Sequence, residues 1–217
     1  MRRLAATVAA ALLLAAVAPP VAAEPGARVL PPTARPLGHS LVEVGTAWNA
    51  WALGGPVEAN PLLLDACGPS PLDPKLWFGP EAIPGGATEG ACQIPAGAML
   101  AISPFFMECS SVEPPPWHGE TEAELRSCVE TAFGLRSSVT VILDGRPLTG
   151  LDAWVVTTRL DTLPAGGLLG PDPALTMDRG VFLVLAPQTP GLHTLAAAWT
   201  ADELGLAASL RLTLQVS

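Results

Sequence analysis

Proline is the residue that most restricts how this chain can fold. The 217 residues include 24 prolines, and half of these fall between residues 54 and 119. A proline has no backbone N–H to donate, and it biases the preceding residue away from the helical conformation. We therefore predict no long helix or strand in this segment, and short strands only at Leu76–Phe78 and residues 98–106.

The four cysteines, Cys67, Cys92, Cys109 and Cys128, lie in or just after this segment. An even number of cysteines in an exported chain indicates two disulfides, for which three pairings exist. We favour Cys67 with Cys92 and Cys109 with Cys128, because each pair brackets a loop-rich or helical excursion. No C-x-x-C or H-x-x-x-H spacing is present, so we predict no metal site on these residues.

The first 23 residues have the features of a secretory signal peptide. A basic start is followed by an Ala/Leu run and a small-residue site, which predicts cleavage after Ala23 and a secreted, extracellular protein. Residues 24–38 hold four prolines and predict a flexible tail. Residues 39–217 are expected to form a single β-sandwich domain with a loop-rich, disulfide-linked first half, and no later segment is long and apolar enough to cross a membrane.

Charge limits the kinds of partner that are expected. Removal of Arg2 and Arg3 with the leader changes the formal net charge from −9 to −11. Such an excess of negative charge disfavours binding to nucleic acid, because its phosphates require Lys and Arg. Asp161, Asp172 and Asp178 lack the regular spacing of a calcium loop. We therefore predict no cofactor, and the partner, which is not identified, is expected to be a cell-envelope or extracellular ligand.

Two helices are predicted. Over residues 41–53, Val44, Trp48 and Trp51 recur at spacings of four and three, which is typical of a short amphipathic helix. The second helix, near residues 121–133, begins with a Thr-x-x-Glu capping box and continues with an apolar stripe.

The remaining segments predict strands. Five consecutive apolar residues at 181–185 favour a strand that is covered on both faces. Residues 192–199 alternate after a Pro-Gly turn and suit the return strand of a hairpin. Alternation also occurs at residues 138–143 and 209–216, and a further strand is expected at residues 154–160. These short strands predict a mainly β protein, an antiparallel β-sandwich of the immunoglobulin-like or jelly-roll-like kind.

Several short motifs occur in a fixed order along the chain. They are W-x-x-W-A-L at residues 48–53, N-P at 60–61, W-F at 77–78, C-Q-I-P-A-G at 92–97 and P-G-x-H-T at 190–194. In this order, over about residues 45–217, the chain resembles a family of exported bacterial proteins of unknown function. The resemblance implies a signal peptide, a β-rich domain and a bridge between Cys67 and Cys92, and it implies no catalytic residue.

Carboxyl and imidazole groups provide the candidate catalytic residues. Glu108 follows apolar residues and is the best candidate for a raised pKa, with Glu113 or Glu43 as its partner in an acid–base pair. His118 lies in a proline-rich loop of the kind that hosts sites, although the same loop also suits a helix entry. No G-x-S-x-G elbow exists, so the catalytic residues stay unassigned.

Tryptophan provides a different hypothesis. Trp48, Trp51, Trp77 and Trp117 lie in the irregular half of the chain, where they would either line a ligand groove or fill the core beneath long loops.

Three functions follow from these features. The first is a non-enzymatic, exported binding or structural module, which predicts that the Trp and Glu candidates do not converge on one open pocket. The second is a secreted protein that binds a glycan or small ligand through exposed tryptophans. The third is a secreted hydrolase that uses Glu108 and Glu113.

Overall fold

The structure is a computed structural model that describes residues 28–217. The predicted leader and the first four residues of the predicted tail lie outside this range. Within it the chain forms the helices α1 (Leu41–Leu53) and α2 (Glu122–Gly134) and two β-sheets. No helix in this range is both long enough and apolar enough to span a membrane.

The strands of the described chain pair into two facing sheets. Their bounds are β1 (Gly68–Pro69), β2 (Leu76–Phe78), β3 (Ala87–Ile94), β4 (Met99–Ser110), β5 (Ser138–Leu143), β6 (Arg146–Pro147), β7 (Val155–Thr157), β8 (Asp161–Leu163), β9 (Ala174–Leu185), β10 (Gly191–Ala201) and β11 (Leu206–Val216). The first sheet has the order β1-β2-β4-β9-β7 with β8 also beside β9, and the second has the order β3-β11-β10-β5-β6. The predicted β-sandwich is confirmed, but each sheet is mixed, because β2 runs parallel to β4 and β3 runs parallel to β11.

Strand β9 is covered on both faces, as its apolar run predicted. Val181, Leu183 and Leu185 point into the core between the sheets. Phe182 and Val184 point the other way, into a second core beneath α1. The first sheet is therefore the middle layer of the molecule.

Helix α1 forms the outer layer over this sheet. Ser40 and Glu43 make a capping box, in which Ser40 Oγ accepts from the Glu43 N–H and Glu43 accepts from the Ser40 N–H. Trp48 is fully buried, and its Nε1 donates to the Gly79 carbonyl at 2.9 Å. The spacing that predicted this helix is thus a packing stripe.

Strand β4 contains an irregularity that reverses which residues face the core. Its pairing with β9 shifts between Ile102 and Phe105, where Pro104 needs no ladder donor. Beyond the shift Phe105 and Met107 face the second sheet, whereas Phe106 belongs to the core beneath α1. Gly180 permits this close pass, since a Cβ there would lie 2.5 Å from the Cβ of Phe106.

The two disulfides join Cys67 to Cys92 and Cys109 to Cys128, as predicted. The second of these fixes α2 to β4. Helix α2 begins at the predicted capping box and buries Leu125 and Val129 beside this disulfide. The cross-links therefore tie irregular segments to the sheets.

The described part of the predicted flexible tail is packed against the first sheet, which corrects that prediction. The Leu30 N–H donates to the Val184 carbonyl, and the Ala186 N–H donates to the Arg28 carbonyl, both at 2.8 Å. Trp154 Nε1 donates to the Leu30 carbonyl at 2.8 Å. The segment is ordered because the end of β9 extends beyond β7 and its backbone groups need partners.

Three strand predictions also change. No long strand was predicted between residues 54 and 119, yet β4 has 12 residues, because Pro104 lies at the irregularity where the pairing with β9 shifts. Strand β3 was not predicted, since its sequence A-T-E-G-A-C-Q-I has little β propensity and its pairing to β11 is long-range. The strand expected at residues 154–160 is reduced to β7, because a 3-10 turn occupies Leu151–Trp154.

His193, in the P-G-x-H-T motif, joins two turns. Its Nδ1 lies 2.8 Å from Asp144 Oδ2, and its Nε2 lies 2.9 Å from the Thr189 carbonyl oxygen. Asp144 Oδ1 also accepts from the Thr194 N–H at 2.8 Å. The histidine therefore acts as a structural link between the turn after β5 and the turn before β10.

We expect removal of the Cys109–Cys128 disulfide to destabilise the protein. Opening a loop of 19 residues should lower the free energy of unfolding by about 3 kcal/mol on the chain-entropy scale. The measurement is urea denaturation of the Cys109→Ala/Cys128→Ala variant, with Cys67→Ala/Cys92→Ala as a matched comparison. A change within the roughly ±0.5 kcal/mol of neutral surface substitutions would contradict a structural role.

Candidate functional site

A pocket of about 260 Å³ lies beside the second half of β4. Strand β2 pairs with β4 only at residues 99–101, and no other strand of the described chain covers this edge between residues 102 and 109. Side chains from several elements close around the gap. They include Glu81, Phe106, Glu108, Glu113, Trp117 and Trp199. We call this the edge pocket.

Glu108 reaches the pocket from β4. It lies directly opposite Asp178 of β9 in the strand register, and by alternation from Phe106 both side chains point to the α1 side of the sheet. Thr176 Oγ1 donates to Glu108 Oε1 at 2.8 Å. Two carboxyls in directly opposed positions repel each other when both are ionised.

Glu113 reaches the pocket from the loop after β4. Its N–H donates to Ser110 Oγ at 3.2 Å, and the Ser110 N–H donates to the Trp117 carbonyl at 3.1 Å, which closes the loop. The Glu113 carboxyl lies close enough to that of Glu108 to contribute to a raised pKa of Glu108, and Glu113 Oε2 is buried without a hydrogen-bond partner among the described residues.

Two further carboxyls lack partners. Glu81, in the connection from β2 to β3, is only 8% exposed, and no donor of the described residues reaches its carboxyl. Asp178 is fully buried, and neither of its carboxyl oxygens has a hydrogen-bond partner. Within residues 28–217 no ion pair joins these carboxyls to a basic side chain.

This environment favours the neutral form of the acids. Burial raises the pKa of Glu81 well above its ordinary value, and the nearby charge of Asp178 adds to the effect. Burial also raises the pKa of Glu108, followed by its contact with Glu113. For Asp178 burial is again the main cause of a raised pKa, with the charges of Asp161 and Glu113 acting in the same direction.

The structure brings together three of the residues considered from the sequence, namely Glu108, Glu113 and Trp117. Glu43 does not join them, because it caps α1. Its carboxyl oxygens lie 3.7 Å from the Arg35 guanidinium and 3.5 Å from the Arg159 guanidinium. The hydrogen bonds from Ser40 lower the pKa of Glu43. It is therefore an ionised structural group.

The other aromatic and imidazole candidates lie outside the edge pocket. Trp48 is a core residue, and Trp51 packs edge-on against Phe78 with ring centroids 5.6 Å apart. Trp77 is half-buried against the core between the sheets. His118 does not line the edge pocket, and its Nδ1 lies 2.9 Å from the Glu113 carbonyl oxygen. Its ring therefore helps to shape the loop that carries Glu113.

Glu81, Asp178 and Trp199 were not predicted from the sequence as site residues. Asp178 offered a signal, because an acidic residue stands at even spacing from Phe182 in a strand covered on both faces. Glu81 gave no signal, since it lies in an irregular Pro/Gly-rich connection. No group of three or more His, Cys, Asp or Glu side chains in residues 28–217 has the arrangement of a metal site.

Comparison with known proteins identifies no family for this chain. No protein-family model matches the chain, and no curated protein matches it by sequence. A chain of a solved structure described as "Structure of PbICP-C in complex with falcipain-2" overlaps 60% of this chain and 89% of its own length, with 9% identity and a TM-score of 0.26. At this level the overlap carries no information on function.

We expect the buried acids to make the protein less stable as the pH rises. The unfolded state releases their protons above about pH 4, whereas the folded state retains them because their pKa values are raised. The free energy of unfolding should therefore fall between pH 5 and pH 8. The folded Asp178→Asn variant retains one proton fewer. Its free energy of unfolding should therefore fall less steeply with pH, by up to about 1.4 kcal/mol per pH unit.

Urea denaturation across this pH range provides the measurement. Asp172→Asn is the matched control, since Asp172 is exposed, and it should leave the slope unchanged. A slope that is identical in the wild type and in Asp178→Asn would show that Asp178 is not held in its neutral form.

Proposed function

We propose that this protein is an exported β-sandwich module that binds a small ligand in the edge pocket. One observation carries the proposal: Glu81, Glu108 and Glu113 converge with the rings of Trp117 and Trp199 on a single pocket. A concave, mainly apolar site with a few convergent polar groups and raised pKa values is the usual form of a small-ligand site. Export is supported by the two disulfides and by the leader-like sequence of residues 1–23.

This proposal differs from the first sequence hypothesis in one respect. That hypothesis expected the Trp and Glu candidates to lie apart, whereas Trp117, Glu108 and Glu113 share a pocket. It also differs from the hypothesis of a glycan face with exposed tryptophans, because all six tryptophans lie in the described chain and none is exposed. The ligand is instead expected to enter a pocket.

Filling the pocket should abolish ligand binding. Ala82 is buried and lines the pocket, so Ala82→Leu places extra carbon atoms inside it. The measurement is a thermal-shift screen of the mature protein against small amines, alcohols, sugars and carboxylic acids. A ligand at 100 times its Kd should stabilise the wild type by about 2.7 kcal/mol, which is about 5–11 °C in Tm for a domain of this size.

The control is Ala123→Leu, which adds the same group at an exposed position on α2. Compounds that stabilise the wild type should also stabilise this control, and they should have no effect on Ala82→Leu. The proposal is wrong if no compound shifts Tm, or if every shift persists in Ala82→Leu.

A further inference from the structure

The edge pocket has an excess of acidic groups, and no basic side chain of the described residues forms an ion pair with them. The acids of this cluster are Glu81, Glu108, Glu113, Asp161 and Asp178. The arginines of the adjoining segments are engaged elsewhere. Arg179 Nη1 donates to Thr157 Oγ1 at 2.6 Å with its guanidinium over the Phe133 ring, and Arg159 lies 3.5 Å from Glu43.

Few hydrogen-bond donors face the cluster. Thr176 supplies one hydroxyl to Glu108. Trp199 Nε1 donates to the Ala82 carbonyl at 3.3 Å. Its N–H is therefore not available to a ligand, and the side chain contributes its ring to the pocket. His118 turns its Nδ1 to the backbone of Glu113 and its Nε2 toward Glu120 at 3.6 Å. The Glu81 carboxyl thus faces the pocket, more than nine-tenths buried, with no donor of its own.

These features exclude several classes of ligand. An anion would meet three carboxyls with no basic group beside them. A bare metal ion requires a set of closely placed oxygens, and the described residues contain no such group. A cation with an apolar body satisfies both the acids and the aromatic walls.

We propose that the edge pocket binds a small organic cation, which consists of an ammonium group on a short apolar body. This inference rests on the proposed function. The ammonium donates to Glu81 and to the Glu108–Glu113 pair, and the apolar body lies against Trp117 and Trp199. The volume of about 260 Å³ is just below the range of about 300–1,000 Å³ that is typical of drug-sized ligands. The ligand is therefore small.

Binding of the cation is coupled to loss of a proton. A carboxyl that is neutral in the empty pocket gives its proton to solvent and becomes the carboxylate that accepts from the ammonium. Protons thus compete with the ligand, and affinity rises with pH while Glu81 and Glu108 are still protonated. The increase is on the order of tenfold per pH unit for each proton released.

The test uses three probes with the same ring and different charge: benzylammonium, benzyl alcohol and benzoate. Isothermal titration of the mature protein at about pH 5.5 and about pH 7.5, in buffers of different ionisation enthalpy, measures affinity and proton release. We expect benzylammonium to bind more tightly than both other probes, more tightly at the higher pH, and with release of protons.

Glu81→Gln and, separately, Glu113→Gln should weaken benzylammonium binding by about tenfold or more, the effect of losing one charge-assisted contact. Glu130→Gln on the exposed face of α2 should leave it unchanged. Glu113 is less buried than Glu81, so its variant provides the test if Glu81→Gln does not fold. Unchanged affinity in the folded acid variants would overturn the inference.

The outcomes separate the two proposals. If benzyl alcohol or benzoate binds as tightly as benzylammonium, and binding is lost in Ala82→Leu, the ligand site stands and its preference for a cation is wrong. If no benzyl probe binds, the inference fails, and the wider screen decides the proposed function. Binding of benzylammonium without proton release also contradicts the inference.

Discussion

The pairing of β4 with β9 is the interaction on which the rest of the structure depends. The two strands run antiparallel from Leu100 opposite Leu185 to Ser110 opposite Thr176. One face of the pair packs on the second sheet, and the other packs beneath α1. The disulfide that holds α2 starts from β4, and the edge pocket opens on the edge of the same strand. Packing and site therefore share one support.

The irregularity between Ile102 and Phe105 connects this packing to the site. It places Phe105 and Met107 in the core between the sheets, and it thereby sends Glu108 to the same face as Asp178. A covered face of a sheet is an unfavourable place for acids without partners. Sequences tend to break such rules at functional sites, and here the unfavourable acids surround a pocket that a ligand of opposite charge would satisfy.

The proline-rich first half of the chain is held by cross-links and by single buried contacts. Between residues 54 and 119 only β3 and β4 exceed three residues in length. Cys67–Cys92 ties the approach to β1 onto β3, and Trp48 fixes the turn after β2 through the Gly79 carbonyl. Because β2 is short, it pairs with β4 only at residues 99–101. The edge pocket lies along the part of β4 that β2 does not cover.

The sequence by itself determined the local features: the capping box and stripe of α2, the doubly covered run at residues 181–185, and the apolar setting of Glu108. These depend on neighbours along the chain. Only the tertiary structure decided that β3 lies parallel to β11 and that Glu81 and Asp178 join Glu108. Such contacts depend on strand register, on the irregularity in β4 and on the path of a Pro/Gly-rich connection, which no local periodicity specifies.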